Sequence, residues 1–384
     1  MFSQSLIKKF ESLETPFYYY DMEILENNLK CLKKITSELG YHVHYALKAN
    51  ANPPVLTRIA DFGFGADCVS GNEILRALEC GFSPEKIVLA GVGKKDSEIA
   101  LALKHNILCI NCESIQELQI INKLASRQQK TAPVALRVNP DLEAGTHRYI
   151  TTGLNENKFG INFKDLESVS GMLSELNHIR IIGLHTHIGS QILNLEVFRN
   201  LALRINDIQN WFQERNITFE HLNLGGGLGV NYQNPDENIL PDYQKYFELI
   251  SSNLNARDRQ QVHFELGRSM VAQCGALISR VLYVKKGLNR KFAIIDAGMT
   301  ELIRPALYNA YHKIENLTSS GPLEMYDVVG PVCESSDFLG KKIALKGVRR
   351  GDILAIRTTG AYAEVMSSGY NLRDRAPAIY SDQL

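Results

Sequence analysis

Apolar positions along the chain follow two rhythms, and the change between them divides it. From Met22 to Leu39, Leu25, Leu29, Leu32 and Leu39 recur at helical spacing, with Asp21 placed to cap the start and Gly40 to end the run. Beyond it, short apolar or alternating runs come at regular intervals with helical stretches between them. These predict strands at 41–47, 63–68, 86–90, 107–112, 134–139, 181–188, 221–224 and 262–266. Eight strands alternating with helices over about 225 residues match a (β/α)8 barrel, with a doubly wound open sheet as the structural alternative. Ser70 with Glu73 and Ser114 with Glu117 form capping-box pairs just after the second and fourth strands, where helices should begin.

After residue 264 the helical repeats thin out. Runs at 276–284, 292–296, 325–329 and 353–357 read as strands separated by turn residues, which predicts a second, mostly β domain. The first 20 or so residues, with Thr15-Pro16-Phe17-Tyr18-Tyr19-Tyr20, read as extended and are assigned to that domain. The expected division is a barrel over 22–264 and a β domain built from 1–21 and 265–384.

Composition narrows the function classes. The 384 residues are 45% hydrophobic and 22% charged with formal net charge +0, so no electrostatic footprint for nucleic acid or an anionic membrane is expected. No run reaches the ~20 apolar residues of a membrane span, and the N-terminus has no long apolar core of a signal peptide. Seven scattered cysteines suit a reducing, cytoplasmic compartment.

The chemistry is expected where the strands end, because a barrel gathers its strand tips on one face. Lys48 ends the first strand; burial there would lower its pKa and make its amine a nucleophile toward an aldehyde, whereas the plain reading is a surface lysine with a packed stem. Asp67, Arg137, His187 and Glu265 occupy further tips. Gly225-Gly226-Gly227-Leu228-Gly229 could cradle a phosphate with backbone N–H groups or simply form a tight turn. It does not fit a dinucleotide fingerprint, since Val230 stands at the last glycine position. His185-Thr186-His187 admits a metal pair, a packed histidine, or a His187 ring lying flat on an aromatic group with Ser190 donating to a phosphate. No third ligand is apparent, so no metal is expected. Cys109 and Cys112 sit on a predicted strand and read as packing. Glu265-Leu266-Gly267-Arg268 offers a carboxylate for a protonated ring nitrogen and an arginine for a phosphate or carboxylate, or else a structural ion pair. Three clusters remain: Arg304 to His312, Gly330 to Asp337, and Gly360-Ala361-Tyr362.

Taken in order, Ala46-Leu47-Lys48-Ala49-Asn50, the His185–Gln191 stretch, the glycine triplet, Glu265 to Arg268, Arg304 to His312 and Cys333-Glu334-Ser335 resemble the diaminopimelate decarboxylase family. That family lies within the fold type III, alanine-racemase-like class of pyridoxal-phosphate enzymes. The resemblance spans essentially the whole chain. It implies pyridoxal 5'-phosphate, a barrel with a C-terminal β domain that includes the first strand, and a head-to-tail homodimer with shared active sites. The implied reaction converts meso-2,6-diaminopimelate to L-lysine and CO2. A related decarboxylase acting on ornithine, arginine, lysine or carboxynorspermidine is the alternative.

Carried over by motif, Lys48 resembles the cofactor lysine, His187 the ring-stacking histidine, and Gly225, Gly226, Gly227 and Ser190 the phosphate ligands. Glu265 resembles the partner of the pyridine nitrogen, with Leu266 and Gly267 in the same segment. Asp67 and Arg137 match positions near the lysine. Arg268, Arg304, Tyr308, Glu334 and Tyr362 resemble the substrate set, Tyr362 also lying near the cofactor, and Cys333 resembles a proton donor supplied by the other subunit. The sequence departs from the family at Leu266, where proline is usual, and after Tyr362; the lost proline is expected to loosen the turn.

Overall fold

The computed structural model describes residues 2–142 and 158–384. Residue contacts separate two units: one of 29–229 and 242–267, the other of 1–28, 230–241 and 268–384. The segment 230–241, which interrupts the barrel sequence, thus groups with the β unit.

The first unit is a closed parallel barrel of eight strands. They are β2 (His42–Ala46), β3 (Gly65–Cys68), β4 (Ile87–Leu89), β5 (Cys109–Cys112), β6 (Ala132–Arg137), β7 (Ile179–His185), β8 (His221–Asn223) and β9 (Gln261–Leu266). All eight expected strands form, and β9 closes on β2 with His42 opposite His263 and His44 opposite Glu265. The serine caps form as well: Ser70 and Ser114 accept from the Glu73 and Glu117 amides. The reciprocal glutamate bonds go one residue further back than a capping box predicts, to the Val69 and Glu113 amides. Cys109 and Cys112 are buried and unpaired, as packing requires.

The second unit is an open sheet ordered β12 (Ile314–Asn316), β15 (Ile353–Arg357), β10 (Gly275–Lys286), β11 (Lys291–Ile295), β13 (Leu323–Val329), β14 (Phe338–Lys346). At its side, β1 (Phe17–Tyr20) pairs antiparallel with β10 and parallel with β16 (Ala378–Tyr380). The expectation that the first 20 residues are extended fails at Gln4–Ser12, which is a helix capped by Ser3. Its Ile7 and Phe10 lie three apart on one face. Phe10 packs against Phe17 and Tyr19 at 5.4 and 5.1 Å, in the cluster that also holds Ile278 and Ile353. Packing of that face, rather than propensity, makes so short a helix stable. The long helix Met22–Glu38 starts where expected, with Asp21 accepting from the Ile24 amide.

Four histidines crowd the barrel end opposite the strand tips. The His44 Nδ1 donates to the Lys86 carbonyl at 3.0 Å, so its Nε2 carries the lone pair that accepts from His263 Nδ1 at 2.9 Å. The His263 ring stacks on His42 and His221. Burial lowers all four pKa values, His44 to about 4, with Glu265 opposing the shift at His44 and His263 and Lys33 and Lys86 adding to it at His42. They are therefore neutral when folded, and the unfolded chain binds more protons below about pH 6.5. Stability should hold above pH 7 and fall as pH drops from about 6.5 toward 4, with His44 contributing about 2 kcal/mol of the loss by pH 5. Urea midpoints across this range test the slope, and His44→Gln should flatten it.

Candidate active site

At the tip of β9, Glu265 is a fully enclosed carboxylate with three donors. Asn111 and Asn223 give their Nδ2 hydrogens to Oε1 at 3.0 and 2.8 Å, and His185 Nε2 donates to Oε2 at 3.1 Å. Burial works against ionisation here, but the hydrogen bond from His185 and the nearby Lys48 ammonium outweigh it and hold the carboxyl below the usual carboxylate range. Asp67, on β3, moves the opposite way: burial first, then repulsion from Glu265, raises it against the pull of Lys48. The two buried carboxyls are thus shifted in opposite directions, Glu265 toward its ionised form and Asp67 toward its neutral one.

Lys48 lies in a short turn (Leu47–Ala49) that follows β2, and its ammonium donates to Asp67 Oδ2 at 2.8 Å. The expected burial of this lysine is not found. Its side chain keeps 37% exposure, because the turn carries it past the strand tip while Asp67 holds its head. Asp67 Oδ1, fully buried, has no hydrogen-bond partner among the described residues.

The glycine loop is shaped by contact. Gly225 and Gly227 have φ of +69° and +113°, and a Cβ on Gly226 would overlap the Glu265 carbonyl oxygen. The Gly226 amide is not free for a phosphate, as it donates to His187 Nδ1 at 3.1 Å. That bond makes His187 neutral, with its proton on Nε2, in keeping with a pKa held well below 6.5 by burial and the nearby Arg137 and Lys48. His185 and His187 therefore serve two different groups, a carboxylate and a loop amide. Among the described residues no set of three His, Cys, Asp or Glu side chains is arranged to hold a metal.

Arg137 is oriented by Glu113 at 2.7 Å, which also accepts from the Gly91 and Gly160 amides. Sequence patterns did not mark Glu113, Asn111 or Asn223, since a single polar residue in a strand or beyond its end carries no motif. Leu266 is the buried last residue of β9, in register with Tyr45, a strand position that leucine, unlike proline, can fill with its N–H intact. Ser190 is half-buried on the segment after β7.

The β unit carries its own cluster. Arg268 and Arg304 are both buried and both donate through Nη1 to the hydroxyl of Tyr232, at 2.6 and 2.9 Å. The Arg268 guanidinium also lies 4.7 Å from the ring centre of Tyr362, whose φ is +56°. Tyr308, half-buried, ends the short helix Arg304–Tyr308. Tyr232 was missed for lack of any pattern around it. Cys333 and Glu334 stand apart on an exposed turn, Glu334 accepting from the Tyr370 hydroxyl at 2.8 Å.

The barrel residues fit pyridoxal phosphate. A lysine amine on an acid partner, an ionised carboxylate for a protonated ring nitrogen, a neutral imidazole and a side-chain-free loop together match its donor and acceptor set. Asn111→Leu and Asn223→Leu should each cost about 1.5–3 kcal/mol of unfolding free energy at pH 7, since each takes a donor from a buried charge. Urea denaturation would show Asn223→Leu as the worse, because its Oδ1 also accepts from the Gly225 amide.

Comparison with known proteins agrees with this arrangement. Residues 25–272 match the family described as "Pyridoxal-dependent decarboxylase, pyridoxal binding domain". A diaminopimelate decarboxylase of Bacteroides thetaiotaomicron is 54% identical over 98% of both chains. The crystal structure of diaminopimelate decarboxylase from Helicobacter pylori complexed with L-lysine aligns with a TM-score of 0.92 at 39% identity, covering 97% of this chain and 93% of that one. The M. jannaschii enzyme in co-complex with L-lysine aligns at 0.90 and 34% identity, covering 98% and 90%. With identity this high over nearly its whole length, and a lysine–carboxylate barrel to match, the chain belongs to the diaminopimelate decarboxylase family.

Proposed function

We infer that this chain decarboxylates meso-2,6-diaminopimelate to L-lysine and CO2 with pyridoxal phosphate, completing lysine synthesis. The observation that carries the chemistry is the ionised Glu265 in the barrel that presents the Lys48 amine. When bound, pyridoxal phosphate supplies an electron sink for the pair of electrons left behind as CO2 departs. Lys48 anchors the cofactor covalently through its amine, with Asp67 orienting that amine beforehand. Glu265 holds a proton at the pyridine nitrogen, and its three donors keep it ionised to do so. His187, neutral and pinned by Gly226, offers a flat ring face. With the Gly225 and Gly226 amides already given to Asn223 and His187, Gly227 of the glycine loop and Ser190 are assigned to the phosphate.

Arg304 and Arg268 suit an acid with a second carboxylate, which a guanidinium can grip by two N–H groups. Lysine or ornithine would leave a buried arginine unpaired, a mismatch that sites of this kind can convert into roughly 10^4-fold discrimination. This is what weighs against the other basic amino acids. Glu334 is assigned to the distal ammonium, and Tyr308 and Tyr362 to the rest of the substrate. Cys333 Sγ is proposed to give the proton to the former α-carbon. Its exposed position beside Glu334, away from the arginine cluster's hydrogen bonds, is what a homodimer with shared sites requires. The described residues include no helix long and apolar enough to cross a membrane, and seven unpaired cysteines fit a cytoplasmic enzyme.

Lys48→Ala should abolish the borohydride-trapped cofactor adduct; an adduct at another lysine would refute the assignment. Mixing Lys48→Ala with Cys333→Ala subunits should restore activity through hybrid dimers, and subunit exchange without rescue would refute the shared site. Arg304→Ala should lower kcat/KM for meso-diaminopimelate by about 10^2- to 10^3-fold while the cofactor absorbance band stays at its wild-type height.

A further inference from the structure

An arginine grips a carboxylate only if the correct edge of its guanidinium faces the ligand, and a long side chain does not fix that roll by itself. Arg304 is held at Nη1 by two acceptors, the Tyr232 hydroxyl and His312 Nε2, each at 2.9 Å. These bonds use both Nη1 hydrogens. Among the described residues Nη2 and Nε make no hydrogen bond, so the edge they share is left for a ligand.

The protonation state of His312 follows from its partners. Its Nδ1 faces the Arg357 carbonyl at 2.9 Å, which can only accept, and its Nε2 faces a guanidinium, which can only donate. His312 is therefore neutral, with its proton on Nδ1. Burial and the Arg304 charge keep it so, pushing its pKa down to about 3. Tyr232 meets His312 edge-on, with ring centres 4.9 Å apart. Burial would raise its phenol, but Arg268 and Arg304 outweigh that and bring its pKa below 10. One hydroxyl thus accepts from two guanidiniums that would otherwise repel.

We propose that His312 and Tyr232 are positioning residues for substrate recognition, fixing the roll of Arg304 so that its Nη2–Nε edge meets the substrate's distal carboxylate. The inference rests on the reading of Arg304 as a carboxylate fork and adds the two residues that set its geometry. His312 is the sharper probe, since it touches Arg304 and not Arg268.

The test is steady-state decarboxylation of meso-diaminopimelate by holoenzyme carrying His312→Leu, His312→Gln or Tyr232→Phe, and by His312→Leu combined with Arg304→Ala. His312→Leu should raise KM about 10- to 100-fold, the worth of one hydrogen bond to a charged group, with kcat within about threefold and the cofactor band unchanged. His312→Gln, whose Oε1 can accept from Nη1, should recover most of the loss. Added to Arg304→Ala, His312→Leu should cost nothing further, because a residue that acts through Arg304 has nothing left to position. Tyr232→Phe, which removes a single oxygen, should raise KM like His312→Leu and keeps the test open if the leucine variant does not fold. A wild-type KM in His312→Leu, a loss that adds in full to Arg304→Ala, or a cofactor band that falls with activity would each overturn the proposal. Wild-type holoenzyme that leaves meso-diaminopimelate untouched would overturn the functional reading beneath it.

Discussion

A negative charge enclosed at the end of β9 governs the rest of the barrel unit. A carboxylate removed from water is costly unless its lone pairs are filled and a positive group lies near. Glu265 meets both conditions through Asn111, Asn223 and His185 and through the Lys48 ammonium. Each donor comes from a different strand, so closure of the barrel and ionisation of the group are one event. The same charge adds to burial in pushing Asp67 toward its neutral form, whereas at His187 it opposes the burial and the Arg137 and Lys48 charges that keep that ring neutral. It also separates the two histidines of the His-x-His stretch, one drawn to the carboxylate and the other to the glycine loop.

The β unit meets the converse problem at Arg304, a buried positive charge whose hydrogen-bond acceptors among the described residues are both neutral. Arg268 and Arg304 share the hydroxyl of Tyr232, and Arg304 takes an imidazole as well. Neutral acceptors solvate a guanidinium without cancelling its charge, which leaves the full attraction available to an incoming anion. An acidic neighbour would have done the opposite. Arg357 in the same unit illustrates this, its charge answered by Glu315 and Asp236.

Much of the barrel was legible because its strands are apolar runs bounded by turn residues, and that signal is local. The tips carrying Lys48, Asp67, Arg137 and Glu265 could be marked once the strands were placed. The helix at Gln4–Ser12 was misread because Tyr18 to Tyr20 dominate the segment's β character, and Phe10 declares its role only against Phe17 and Ile278. β12 and β16 are three residues long, too short for a period to register, and β14 is broken by Gly340-Lys341-Lys342. Asn111, Asn223, Glu113, Tyr232 and His312 lay beyond reach for a different reason. Their bonds to Glu265, Arg137, Arg268 and Arg304 span 24 to 154 residues along the chain, apart from that of His312 to Arg304, and no spacing rule links them.

The place of β1 has a consequence for how the chain is made. Its neighbours on either side are β10 and β16, strands that leave the ribosome some 255 and 360 residues later. The barrel strands are complete by residue 266, whereas Phe17–Tyr20, four consecutive aromatics made before any of them, must wait with both edges bare. An aromatic strand without partners is a template for unwanted pairing. The amphipathic helix just before it, closing on the same rings through Phe10, is a local element able to shield them during that interval.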